Sequence, residues 1–145
     1  MGKSEELEAA HTESVAPTAA TIWRDRPEDH DYGAAENYLS LVLPQTTAKR
    51  LASQLKSARG SERKAKDLLR ASGLAFLPAD DRHVMSDLAK IHSGKLLSPV
   101  LLVRGRAAAG IALIVADGYH RICAVRHLDE DATVPCRIVD LPRGR

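Results

Sequence analysis

Leu113-Ile114-Val115-Ala116-Asp117-Gly118-Tyr119-His120-Arg121-Ile122-Cys123-Ala124-Val125 is the stretch on which the reading of the fold turns. The run Ile111 to Val115 is continuously apolar, as expected of a strand covered on both faces. Asp117-Gly118 breaks it with a turn. A helix then follows from about His120 to Leu128. A buried strand, a tight turn and a helix start make a common anion site. The first helical N–H groups lack intrahelical partners, and the helix dipole adds partial positive charge there. Gly118 lets the backbone approach a bulky anion, and Asp117 shapes the turn. His120 and Arg121 add side-chain donors at the same end, the guanidinium as a planar fork suited to phosphate. The plainer alternative is a turn and helix cap with His120 and Arg121 solvated, and spacing alone does not choose between the two.

Working upstream, Pro99 to Val103 reads as a second strand buried on both faces. Asp80 or Asp81 caps a helix that runs through Ser93 and stops at Gly94, with Val84, Leu88 and Ile91 as its apolar stripe. Leu74-Ala75-Phe76-Leu77, closed by Pro78, reads as an edge strand. Before Gly73 the pattern is helical. Thr46 or Thr47 caps a helix whose face is Ala48, Leu51, Ala52, Leu55 and Ala58. Gly60 ends it, Ser61 caps the next, and Glu62 to Ala71 forms the second arm of a helical hairpin. Tyr38 to Leu43 is a strand or a short buried helix, which periodicity does not decide. Arg24 to Asp31 is an extended charged lead-in. Downstream, Val134, Cys136 and Ile138 alternate in a last strand. The expected class is α/β, a small mixed-sheet domain over 73–142. Residues 21–72 form an extension carrying the helical hairpin, and residues 1–20 a disordered tail.

Bulk properties narrow the function. The chain has 145 residues, 44% hydrophobic and 28% charged, and a formal net charge of +2. That balance is too mild to announce a nucleic-acid binder by itself. The five aromatics Trp23, Tyr32, Tyr38, Phe76 and Tyr119 are too few for a broad stacking platform. Two cysteines give no disulfide framework, no signal peptide is visible, and no apolar run is long enough for a membrane span. A cytoplasmic protein is expected, with no membrane partner. The sequence does not address oligomeric state.

The run 113–125, followed by Val134-Pro135-Cys136-Arg137-Ile138-Val139, resembles the ParB/sulfiredoxin superfamily. That family shows a strand, a Gly-x-His-Arg or Gly-x-Arg-Arg turn, an Ala-bearing helix and a closing strand introduced by Val-Pro or Ile-Pro. The Asp87-Leu88-Ala89-Lys90-Ile91 helix and the Leu97-Ser98-Pro99-Val100-Leu101-Leu102-Val103 strand fit in order, so the resemblance covers roughly 73–141. It implies nucleotide binding, to ATP, ADP or CTP with Mg²⁺. The implied site joins Asp117, Gly118, Tyr119, His120 and Arg121 to His83, Ser86 and Lys90 of the preceding helix, where relatives carry Lys, Ser and Thr. Spacings of three and four residues put those three on one helical face. The chain also departs from the family. Tyr119 stands where sulfiredoxin needs a cysteine, so sulfinic-acid reduction is not expected. The sequence runs only a few residues past the last strand, so a complete ParB partition protein is not expected either. Phosphoryl transfer and nucleotide hydrolysis are the reactions left open, and no catalytic carboxylate can be placed by matching.

Two other constellations compete. His120, Cys123, His127 and Cys136 offer a zinc set, but with spacing unlike that of a zinc finger. Both cysteines read better as small packing residues. Arg50, Lys56, Arg59, Arg63, Lys64, Lys66 and Arg70 crowd the hairpin, where Glu62 and Asp67 interrupt them. They form a solvated face, a lid bringing Lys66 or Arg70 to the phosphates, or a surface for DNA. The alternative function is therefore a non-enzymatic DNA-associated module of a partition or regulatory system. DNA is the less favoured partner.

Overall fold

A strand with both faces buried sits at the heart of the structure, a computed structural model that describes residues 22–143. In β2 (Val100–Arg104) the first four residues are all buried. Their side chains alternate between two cores, as a strand's period of two requires. Val100 and Leu102 join one cluster, while Leu101 and Val103 join the other. Each such side chain, withdrawn from water, contributes about 1.5–3 kcal/mol, so β2 is favoured in the interior.

Among the described residues there are five helices and four strands in the chain order α1 (Asp29–Val42), α2 (Gln45–Ser57), β1 (Gly60–Lys64), α3 (Ala65–Ser72), α4 (Arg82–His92), β2, β3 (Ile114–Asp117), α5 (Tyr119–Leu128) and β4 (Thr133–Asp140). A short 3₁₀ turn, Ala107–Ala109, lies between β2 and β3. The sheet order is β1-β4-β2-β3. β4 runs parallel to β2, and the β1–β4 and β2–β3 pairs are antiparallel, so the sheet is mixed. Helices α3, α4 and α5 cover one face through Leu68, Val84, Ile91 and Ile122. Helices α1 and α2 cover the other through Tyr32, Leu39, Leu51 and Leu55. The class is α/β with a helical N-terminal part, as expected. No described helix is long and apolar enough to cross a membrane. The tail over 1–20 lies outside the described residues.

Several expected elements differ. The helical hairpin lies earlier in the chain: α1 packs on α2, and Tyr38 to Val42 belongs to a helix rather than a strand. α1 already begins at Asp29, inside the stretch read as extended. Its start is fixed by a capping box between Glu28 and Asp31. α2 begins at Gln45 after Pro44, so neither Thr46 nor Thr47 is its cap.

The expected second arm, Glu62 to Ala71, is split. Gly60–Lys64 is an edge strand on β4, and only Ala65–Ser72 is helical. Glu62, Arg63 and Lys64 have good helix propensity, but β4 offers an open ladder, and charged residues suit an exposed edge. β1 and α3, both inside the stretch 21–72, thus share the sheet and core of the later elements. Leu74–Leu77 is not a strand either. Its carbonyls are taken by side chains of α5, as described below. Arg137 of β4 reaches back to the end of α2, donating from Nη1 to the carbonyls of Leu55 (3.2 Å) and Lys56 (2.8 Å) and to the Tyr32 hydroxyl (3.0 Å). This satisfies two of the carbonyls a helix leaves open at its end.

Candidate functional site

The Asp117-Gly118 turn joins β3 to α5, with Gly118 as N-cap at φ +110°. Only glycine holds that conformation without strain. A Cβ there would collide with the side chain of Val100 on β2, and would lie 2.9 Å from Arg121 Nη2. The glycine therefore serves first to seat the helix start against the sheet. The N–H of Ile122 is the first on α5 to reach back into the helix, bonding the Gly118 carbonyl at 3.1 Å. The N–H groups of Tyr119, His120 and Arg121 precede it and have no intrahelical acceptor.

Arg121 is not a solvated side chain. Its Nη2 meets Asp117 Oδ2 at 2.9 Å, and both side chains are 17% exposed. Its Nε is buried and without a hydrogen-bond partner. Burial raises the Asp117 carboxyl above its usual range, Arg121 opposes the shift, Asp31 adds to it, and His30 opposes it. The start of α1 therefore lies within electrostatic reach of the turn.

Helix α4 brings the second group. Asp81 caps it, its Oδ2 accepting from the N–H groups of His83 and Val84 at 3.1 Å each. These bonds, Val84's foremost, hold the Asp81 carboxyl below its usual range, and His120 and His83 act in the same direction. The His83 and His120 rings lie 4.7 Å apart, tilted by 41°. One turn further on, Asp87 faces inward, and Lys90 Nζ stands 3.7 Å from its Oδ1. Burial raises the Asp87 carboxyl, while Lys90, Arg121 and His120 oppose the rise. His83 and His120 thus meet where α4 faces the start of α5, and Asp87, beside Lys90, lies within electrostatic reach of Arg121 and His120. Ser86 is exposed on the same helix.

Tyr119 has a different side-chain task. Its hydroxyl donates to the Ala75 carbonyl at 2.6 Å. His127 Nε2 lies 2.7 Å from the Leu77 carbonyl, and Cys123 Sγ approaches the Ala75 carbonyl at 3.9 Å. Spaced by four residues, these three form one stripe on α5 that clips the 74–77 loop to the helix. The zinc constellation does not assemble. Cys136 Sγ contacts Ser61 Oγ at 3.6 Å across the β1–β4 pair, and burial raises both thiols. Protonated thiols are poor metal ligands. Among the described residues, one group could hold a cation by proximity, namely Glu28, His30 and Asp31. The Asp31 carboxylate there already accepts from the Glu28 N–H at 2.8 Å.

Asp87, His30 and Asp31 were not singled out from sequence. Asp87 had a signal, since it sits between Val84 and Ile91 on the apolar stripe of α4, where a carboxylate is unexpected. The placement of His30 and Asp31 depends on the packing of α1 and carries no local mark. No family model, curated protein or solved structure matches the chain.

Proposed function

We propose that the chain is a small nucleotide-binding protein of the ParB/sulfiredoxin type, taking ATP, ADP or CTP at the surface where α4 faces the start of α5. The observation that supports this reading is the 4.7 Å approach of the His83 and His120 rings, one from α4 and one from the start of α5. The donor chemistry suits a phosphate chain. The N–H groups of Tyr119, His120 and Arg121 form a cradle at a helix N-terminus. Lys90 supplies a compact charge and Ser86 a hydroxyl. Arg121, held by Asp117, has a fixed orientation and so loses little freedom on contact. Mg²⁺ would accompany the phosphates as counter-ion, beside carboxylates already paired with Lys90 and Arg121. Phosphoryl transfer or nucleotide hydrolysis are the reactions such a site would serve. A DNA-associated module is the weaker reading, because Lys64 and Lys66 are both drawn to Asp131, at 3.8 and 2.8 Å.

The test is a thermal-shift series with ATP, ADP, CTP and GTP, with and without Mg²⁺. A ligand that binds only the folded state at a hundred times its Kd adds about 2.7 kcal/mol of stability. Such a nucleotide should raise Tm in the native chain and much less in His83→Ala and Lys90→Ala. No shift with any nucleotide, or an equal shift in both variants, would overturn the proposal.

A further inference from the structure

A cavity of about 520 Å³ lies between α3 and α5, and neither His83, Lys90 nor the Asp117–Arg121 turn lines it. Its lining includes Lys66, Asp67 and Arg70 of α3, Arg126 of α5, and Phe76 on the 74–77 loop. Lys66 is engaged by Asp131 at 2.8 Å. Among the described residues, Arg70 and Arg126 form no ion pair, and a guanidinium with no carboxylate is a ready partner for an anion. The Arg126 guanidinium lies 4.1 Å from the centroid of the Phe76 ring, which is itself 40% exposed. Arginine and aromatic planes in this relation form a platform on which a further flat ring stacks.

The platform is also held in place. The His127 ring packs 4.3 Å from Phe76, and Tyr119 and His127 fasten the loop on either side of it through the Ala75 and Leu77 carbonyls. Phe76 belongs to neither buried core cluster, and with Arg126 over its ring it presents a flat surface to the groove. Among the described residues neither guanidinium meets a carboxylate, and the two together suit a negative charge beside that face. The cavity volume falls in the range of small-ligand sites, roughly 300–1,000 Å³. Asp67 also lines the groove and disfavours a polyanion there.

The geometry points to a nucleoside monophosphate site in this groove, separate from the turn, with the base stacked on Arg126 and Phe76 and the phosphate held by Arg70 and Arg126. The same chemistry is offered by a free mononucleotide and by the 5′-phosphorylated end of a single strand. The test is an amide-resolved NMR titration of the full chain with AMP, and separately with a 5′-phosphorylated oligodeoxyadenylate, inorganic phosphate and a phosphotyrosine peptide. Saturable shifts at Gly73, Leu74 and Phe76 are expected with AMP. Affinity should fall about tenfold or more in Arg70→Gln and Arg126→Gln, the loss of one charge-assisted contact, and should be kept in Lys90→Ala. Tighter binding of the oligonucleotide than of AMP assigns the site to a strand end, and equal binding assigns it to the free nucleotide. Shifts confined to residues 118–121, unchanged affinity in both arginine variants, or preference for phosphate or the peptide over AMP would overturn the inference. The spectra of the variants report directly whether each has kept its fold.

Discussion

Replacing Arg121 by alanine should destabilise the fold as well as weaken any anion contact, and the loss should depend on pH in a defined direction. The side chain is paired with Asp117 at 2.9 Å, with both groups 17% exposed. Breaking a buried pair by removing one partner costs about 3–5 kcal/mol, and partial exposure brings the expected loss here to about 2–3 kcal/mol. In a domain of this size that lowers Tm by roughly 10 °C. Burial already raises the Asp117 carboxyl, and Arg121 is the largest influence holding it down. Without Arg121 it rises further. A carboxyl raised in the folded state binds its proton more readily there than when unfolded. Its penalty is therefore full above the folded pKa and fades as pH falls through that pKa towards the unfolded value. The deficit of Arg121→Ala should be largest near about pH 7 and shrink on acidification. Asp117→Asn added to Arg121→Ala should recover much of the loss at neutral pH. Urea unfolding across a pH series, with both variants, measures this. An undiminished deficit at acid pH, or no recovery in the double variant, would refute the assignment of the cost to a stranded carboxylate.

Other expectations follow from single contacts. Gly118→Ala places a Cβ against Val100 at φ +110°, and should cost upwards of about 2 kcal/mol by urea titration, whereas Gly33→Ala, with open space around it, should not destabilise. Asp81→Ala should lower Tm at neutral pH. Because the Asp81 carboxyl is held below its usual range, the difference should vanish as pH falls through its folded pKa. Tyr119→Phe should speed amide exchange and proteolysis at residues 74–77 while leaving β2 amides protected, and uniform change across the chain would argue against the clip. Duplex DNA should bind weakly at physiological salt, and tight binding that falls steeply with added salt would favour the DNA-associated reading.

The parts of the fold legible in the sequence are those in which local pattern and final environment agree. Val100 to Val103 and the β3–turn–α5 unit were readable because a strand buried on both sides must be continuously apolar. α4 was readable because Asp81, its stripe and Gly94 mark start, face and stop. The 60–64 strand was not, since its pairing comes from β4 and its own residues favour a helix. The 74–77 run looked like a strand because it is apolar, yet its carbonyls are satisfied by Tyr119 and His127. At the site, the turn was plain from Asp117-Gly118. That Arg121 is half of a partly buried ion pair was not, because burial is a property of packing and both residues are common at exposed turns.

The placement of β4 between β1 and β2 has a kinetic consequence. β2 and β3 can pair as soon as both exist, and α4 and α5 can dock on them. The ladder that joins these to β1 waits for residues 133–140, the last strand described. Until that segment is available, β2 presents an unpaired edge with Leu101 and Leu102 beside it. Closure then requires contacts between segments far apart along the chain, which is slow relative to local pairing. During synthesis the interval before release of β4 is therefore the period of greatest exposure to misassembly. Substitutions that weaken β4, such as at Val134 or Cys136, should prolong the time β2 stays unpaired after release, in proportion to their effect on the folding rate rather than on native stability alone.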